Sequence, residues 1–288
     1  MNLAIIVVTY NPNIDDLRIN INTYINQSEF LVIVDNSDNF EKQKSIVESF
    51  NNYKNIHTIS LKCNYGIAYA QNLGIKYAVD NGCEFFIEMD QDSQLPLDYV
   101  KNIYNSYVSL TNQGYKIAGI GPIAFNKNDN SLYHSRNTKS DLIEVEKTLS
   151  SGLFTTLEAL KDVGFKDETL FIDLVDWEWC WRARSMGYRI FVNKDLRIPH
   201  LLGEGHKNFL LFSIGIPSPI RHYYQYRNSI IVSKLKYVPL EWKIKRFFIH
   251  LFKPIFYLLF FDRKLDRLRF IFYGIRDGFL NAKGKFNK

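Results

Sequence analysis

Over the first 90 residues, apolar positions gather in short unbroken runs, and the stretches between them carry helical spacing. Leu3 to Thr9 is an apolar, β-branched run stopped by Tyr10-Asn11-Pro12, which predicts a buried parallel strand with a loop at its carboxyl end. Leu17, Ile21 and Ile25 share one helical face within residues 15–26. Phe30 to Val34 is a second run, ended by Asp35-Asn36-Ser37, and Ile56 to Leu61 a third, with a helix expected over 41–52. A further helix is expected over 64–81, entered through Tyr65-Gly66, before a fourth run, Phe85 to Glu88, leads into Asp90-Gln91-Asp92. Strands alternating with helices predict an α/β fold with a mostly parallel central sheet and helices on both faces. Ligands of such sheets bind beyond the carboxyl ends of the strands. Three of those ends are polar here: Thr9-Tyr10-Asn11, Asp35-Asn36 and Asp90-Gln91-Asp92.

The second half is less regular, with strands expected at 117–123, 150–156 and 188–192 and a helix over 176–186 closed by Gly187. No repeat or low-complexity linker divides it. The simplest organisation is one domain over residues 1–232 followed by a helical extension over 233–288. That extension carries an apolar stripe at helical spacing, Phe247, Phe248, Leu251, Phe252, Ile255, Phe256 and Leu259, flanked by Lys243, Lys245, Arg246 and Lys253. Pro254 is expected to kink or divide its helix. A second segment, Leu265 to Leu280, mixes Arg267, Arg269 and Arg276 with Phe270, Ile271, Phe272 and Ile275.

Charge sharpens this division. The net charge is +6, yet residues 234–288 hold 14 Lys or Arg against 4 Asp or Glu, which leaves the remainder at −4. A slightly acidic body with a basic amphipathic tail fits an anionic membrane surface. Packing on the body, or a homo-oligomer contact through the C-terminal helices, is the alternative. No nucleic-acid-binding module is recognisable. Cys63, Cys83 and Cys180 have no paired spacing and read as reduced thiols. No signal-peptide order precedes the first strand, and no apolar run of about 18 residues is free of charges. A cytoplasmic protein without a membrane span is expected.

Asp90 and Asp92 at a strand end repel each other unless a cation lies between them, and hard oxygen donors suit Mg²⁺ or Mn²⁺ bridging a diphosphate. An acidic turn capping the next helix is the plain alternative. Asp173, Asp176 and Glu178 stand among Trp177, Trp179 and Trp181. Glu178 and Arg182 have the spacing of a structural ion pair, and Asp176 that of an N-cap. A partly buried Asp176 could equally take a proton from an attacking hydroxyl. His200 follows a strand and could complete a metal site begun by Asp92. Arg221, Tyr223, Tyr224, Arg227 and Asn228 crowd one segment, where guanidinium groups could meet a diphosphate or simply line a solvated helix face.

In order along the chain, Val7-Val8-Thr9-Tyr10-Asn11, Val34-Asp35-Asn36-Ser37, Asn64-Tyr65-Gly66-Ile67-Ala68 with Asn72 and Gly74, and Met89-Asp90-Gln91-Asp92-Ser93 form a set that continues with Phe171 to Glu178, Pro199-His200 and Tyr223 to Asn228. Over residues 3–232 this set resembles the family 2 inverting glycosyltransferases of the GT-A fold, in particular the rhamnosyltransferase-like branch of bacterial surface-polysaccharide assembly. The resemblance implies that Thr9, Tyr10, Asn11, Asp35 and Asn36 line the base site, with Asp35 accepting from the ring N–H of uracil or thymine. It implies that Asn64, Gly66 and Asn72 border the ribose and diphosphate, with Arg227 on the nucleotide-sugar. Asp90 would face ribose and metal, Asp92 and His200 would ligate Mg²⁺ or Mn²⁺, and Asp176 would be the general base. Asp173, Trp177 and Glu178 would border the sugar or acceptor pocket. Gln91 departs from the pattern, since many relatives carry another acid there.

The implied reaction moves a sugar, foremost L-rhamnose from dTDP-rhamnose, to a polyprenyl-diphosphate-linked glycan at the inner face of the cell membrane. A UDP-hexose or UDP-galactofuranose donor, or a non-catalytic nucleotide-sugar-binding protein, are the alternatives. Nucleotidyl transfer would call for a glycine-rich, basic loop after the first strand, and Thr9-Tyr10-Asn11-Pro12 is not one.

Overall fold

The structure is a computed structural model of the 288-residue chain and describes residues 1–126, 140–200, 206–209, 212–215 and 217–287. Three βα units open it: β1 (Leu3–Thr9), α1 (Ile14–Asn22), β2 (Phe30–Asp35), α2 (Phe40–Phe50), β3 (Ile56–Ser60) and α3 (Ile67–Asp80). Then come β4 (Phe85–Asp90), α4 (Tyr99–Asn112), β5 (Ile117–Asn126), β6 (Leu142–Val145), β7 (Leu153–Thr156), α5 (Leu157–Val163), α6 (Val175–Ser185) and β8 (Arg189–His200). A two-stranded ribbon, β9 (His206–Phe209) with β10 (Phe212–Gly215), precedes α7 (Pro219–Ser233), α8 (Leu240–Phe260) and α9 (Lys264–Phe279).

Eight strands form one sheet in the order β3-β2-β1-β4-β7-β5-β8-β6. The pairs β1–β2, β1–β4, β2–β3 and β5–β8 are parallel, while β7 and β6 run antiparallel to their neighbours. This is the mostly parallel α/β sheet expected from the alternation of runs. Both faces are covered, so alternate side chains of each central strand enter different cores. Leu3, Ile5, Val7, Leu31 and Ile33 pack with α1, α2 and α4 through Leu17, Ile21, Ile46 and Ile103. Ala4, Ile6, Val8, Val32 and Val34 pack with α3, α5 and α6 through Ala70, Ile75, Leu160 and Trp179. That explains the unbroken apolar runs: no position on these strands faces water.

Register delivers the polar strand ends to one edge. Thr9 pairs with Asp35 across β1–β2, and Val8 pairs with Asp90 across β1–β4. Helix α4 follows the acidic turn as the next helix, though its bounds were not read from the sequence, and α1 ends four residues earlier than the 15–26 spacing suggested. Of the kink or division expected at Pro254, division does not occur, since α8 runs through it from Leu240 to Phe260.

The C-terminal helices pack back onto the body. Helices α7 and α9 approach so closely that a Cβ on Gly274 would lie 2.6 Å from the Tyr223 carbonyl oxygen. Trp242 of α8 meets Trp181 of α6 edge-on, with ring centroids 4.9 Å apart. The final residues reach back to the segment before α6, where the Gly284 N–H donates to the Thr169 carbonyl at 2.8 Å. Among the described residues no helix is long and apolar enough to cross a membrane.

Candidate active site

At the carboxyl end of β4 lies a cavity of about 500 Å³ whose walls include Asp90, Gln91, Asp92, Asp173, Asp176 and Trp177. Residues more than 80 positions apart therefore share one chamber. Helix α6 supplies Asp176 in its first turn, where aligned backbone N–H groups favour a carboxylate, and Oδ1 accepts from the Trp177 N–H at 2.9 Å. Burial nonetheless pushes Asp176 up to about 6, opposed by the charge of Lys166. Burial and the neighbouring charge of Asp92 push Asp90 up to about 7, again opposed by Lys166. Lys166 is itself buried, its ammonium hydrogen-bonded to Glu88 and Gln71 beneath the cavity floor.

The loop before α6 is strained: Phe171, Asp173 and Leu174 all have positive φ. What holds it is the cluster of arginine, tyrosine and asparagine residues on α7. The Asn228 amide nitrogen lies 2.9, 2.6 and 2.9 Å from the carbonyl oxygens of Leu170, Ile172 and Asp173. Arg227, wholly buried, gives its guanidinium to the carbonyls of Leu170, Thr169 and Gly284 and to Asn228 Oδ1. Arg227 is thus spent on the loop and does not line the cavity. Arg221 does, and it grips Asp173 bidentately at 2.7 and 3.1 Å. Gly66 braces the same loop. Its φ is +94°, and a Cβ there would lie 2.5 Å from the Phe171 carbonyl oxygen, so only glycine fits.

The residues expected at the base side form a network of their own. Asp35 is fully buried, and its Oδ1 accepts from Thr9 Oγ1, Ser37 Oγ and the Ser37 N–H. Its Oδ2 has no partner among the described residues, a free acceptor of the kind an imide N–H could meet. Asn36 donates to Asn64 Oδ1 at 3.0 Å and accepts from the Tyr65 N–H, while Asn64 Oδ1 also accepts from the Gly66 N–H. Asn11, at φ 45°, donates from its amide to Asp38, as does the Tyr10 hydroxyl. Gln91 joins this network to the cavity: its Oε1 accepts from the Tyr10 N–H at 2.7 Å, a bond that crosses from β4 to β1.

Two sequence expectations resolve into supporting roles. Asn72 is buried and gives both amide atoms to residues 166–168, accepting from the Lys166 N–H and donating to the Lys166 carbonyl and Glu168. Glu178 is also buried and pairs with Arg182 and the Tyr237 hydroxyl, the structural ion pair its spacing allowed. His200 ends β8 opposite Asn126, but its side chain lies outside the described residues. Two cavity residues were not foreseen there. Arg246 and Lys253 of α8, expected to flank an outward stripe, line the chamber instead.

Asp90 and Asp92 offer hard oxygen donors to a divalent cation, and among the described residues no third Asp, Glu, His or Cys joins them. The sheet topology, the cleft at the strand ends and this acidic chamber define a glycosyltransferase of the GT-A fold. Residues 4–165 match the profile of "Glycosyl transferase family 2", and the chain belongs to that family. It is 30% identical over 301 aligned positions, 99% of both chains, to "dTDP-rhamnosyl transferase RfbF" of Shigella flexneri. Among solved structures, S. aureus TarS 1-349 in complex with UDP-GlcNAc superposes with a TM-score of 0.60 at 18% identity, covering 96% of this chain and 80% of that one. GalNAc-T7 with UDP, GalNAc and Mn²⁺ superposes with a TM-score of 0.58 at 13% identity, covering 89% of this chain and 57% of that one. At these identities the likeness concerns the fold.

Proposed function

We propose that this glycosyltransferase moves L-rhamnose from dTDP-rhamnose to a lipid-linked glycan acceptor by a direct, inverting displacement. The observation that carries the reading is the meeting of Asp90, Asp92 and Asp176 in one cavity at the carboxyl edge of the sheet. The donor sugar is inferred from the full-length likeness to a dTDP-rhamnosyl transferase.

In the proposed reaction, Asp176 accepts the proton of the acceptor hydroxyl as that oxygen bonds to the anomeric carbon. The bond from that carbon to the diphosphate oxygen breaks on the opposite face, so dTDP departs with the electron pair and the configuration inverts. Asp90 and Asp92, with His200 as a further candidate, would hold Mg²⁺ or Mn²⁺, whose charge would stabilise the departing diphosphate. Asp35 Oδ2 would accept from the thymine ring N–H, and Thr9, Tyr10, Asn11, Asn36 and Asn64 would shape the base and ribose site around it. Asn72 and Arg227 support the donor site through the loops they brace.

The membrane side of the reading rests on α8, where Phe247, Leu251, Phe252, Ile255 and Leu259 are all exposed. That face would lie in the interface of an anionic membrane beside the lipid-linked acceptor. A donor panel tests the substrate assignment: with a lipid-linked acceptor and Mg²⁺ or Mn²⁺, dTDP-rhamnose yields a product heavier by one deoxyhexose, and UDP-glucose and UDP-galactofuranose turn over at least tenfold more slowly. Faster transfer from a UDP-sugar would replace the assignment with that donor.

A further inference from the structure

One wall of the cavity is α8, and its two sides differ in kind. Arg246 and Lys253, two turns apart, line the chamber. Arg246 makes no hydrogen bond or ion pair among the described residues, and its guanidinium lies 5.2 Å from the Trp242 ring centre and 5.9 Å from that of Trp177. Lys253 Nζ donates to a neutral partner, Gln225 Oε1, at 3.0 Å. Asp173, the nearby carboxylate whose charge both cations sense, is already gripped by Arg221. Burial lowers Arg246 from its usual range, and burial with repulsion from Arg246 brings Lys253 down to about 8. The chamber thus holds two partly desolvated cations that an anion would neutralise. On the outer side of the same helix, Phe247, Leu251 and Ile255 stand exposed.

We propose that Arg246 and Lys253 form a second anion subsite, distinct from the acidic donor side, which binds the phosphate or diphosphate of a long-chain lipid whose hydrocarbon runs out along the apolar face of α8. The proposal rests on the glycosyl-transfer reading and deepens it by giving the acceptor's lipid phosphate an address. The geometry favours that source over the donor's diphosphate. Asp90 and Asp92 mark the side where a cation would meet the donor, and α8 combines two cavity cations with an extended external apolar surface. A nucleotide has no use for the second feature.

The test uses the full chain and four probes, with binding read by calorimetry in the presence of Mg²⁺: farnesyl diphosphate, farnesol, dTDP and a UDP-sugar, UDP-glucose. Farnesyl diphosphate should bind the unaltered protein and farnesol should not compete with it. In the double variant Arg246→Gln, Lys253→Gln, the farnesyl diphosphate Kd should rise roughly tenfold or more, while the dTDP Kd moves less than about threefold. Arg246→Lys with Lys253 intact should retain most of the lipid affinity, which keeps the test valid if the double variant melts early. An unchanged farnesyl diphosphate Kd, or an equal loss for dTDP, overturns the subsite. If the unaltered protein binds neither dTDP nor a UDP-sugar, it is the glycosyl-transfer reading that fails, whatever the lipid arm shows.

Discussion

A carboxylate that takes a proton from an alcohol works best when its pKa lies close to the working pH, and at Asp176 two opposing effects set that value. Burial disfavours the charge, while Lys166 and the amides of the first α6 turn favour it, leaving the group at about 6. Only the ionised form can act as base, so the proposed chemistry is lost as pH falls. With metal saturating, kcat/KM should decline about tenfold per pH unit below roughly pH 6 and level off above it. A flat profile between about pH 5 and 7.5 would detach Asp176 from the rate. Residues whose position is set by their immediate neighbours were the legible ones: Asp90 closes a strand with Asp92 just beyond it, and Asp176 lies in the first turn of a helix. The surroundings of Asn72 and Arg227 were not, because their partners sit far along the chain. Arg227 bonds to Leu170 and Gly284 and Asn72 to Lys166, pairings that no local pattern announces, whereas the Glu178–Arg182 pair was legible from its spacing of four. The buried Lys166 lacked any local signal for the same reason.

At the scale of elements, strands covered on both faces read clearly because every position is apolar. The bounds of α4 escaped because its first half mixes polar residues with apolar and tyrosine ones, and the buried Tyr99, Val100 and Ile103 are told from exposed positions only by the sheet beneath. Helix α8 was legible in its stripe and misjudged in its charges. Arg246, His250 and Lys253 recur at spacings of four and three on the side away from Phe247 and Leu251, a signal for a second buried face. The exposed side leads to a prediction that leaves packing intact. Replacing Phe247, Leu251 and Ile255 together by serine should lower partitioning to phosphatidylglycerol vesicles by tenfold or more, read by co-sedimentation, since each loses about 1.5–3 kcal/mol of apolar burial in the interface. Partitioning equal to that of the unaltered protein would refute the membrane role of this face.

Across the whole molecule, the extension beyond α7 is part of the active-site enclosure. Its residues close one wall of the cavity, and Gly284 reaches the loop that presents Asp173 and Asp176. The sheet brings the polar strand ends and the acidic residues to one edge, and the tail adds cations and an apolar exterior, so the proposed donor, acceptor and lipid surface would converge on a single chamber. In the reaction proposed for that chamber the base is Asp176, and one comparison tests this most directly: Asp176→Asn beside the unaltered protein, with donor affinity by calorimetry and transfer by mass spectrometry of the lipid-linked product. The amide keeps the shape and loses the base. Transfer should fall by about 10²–10⁴-fold while the dTDP-rhamnose Kd stays within about threefold. Near-normal turnover in that variant would contradict a reaction driven by proton removal at Asp176.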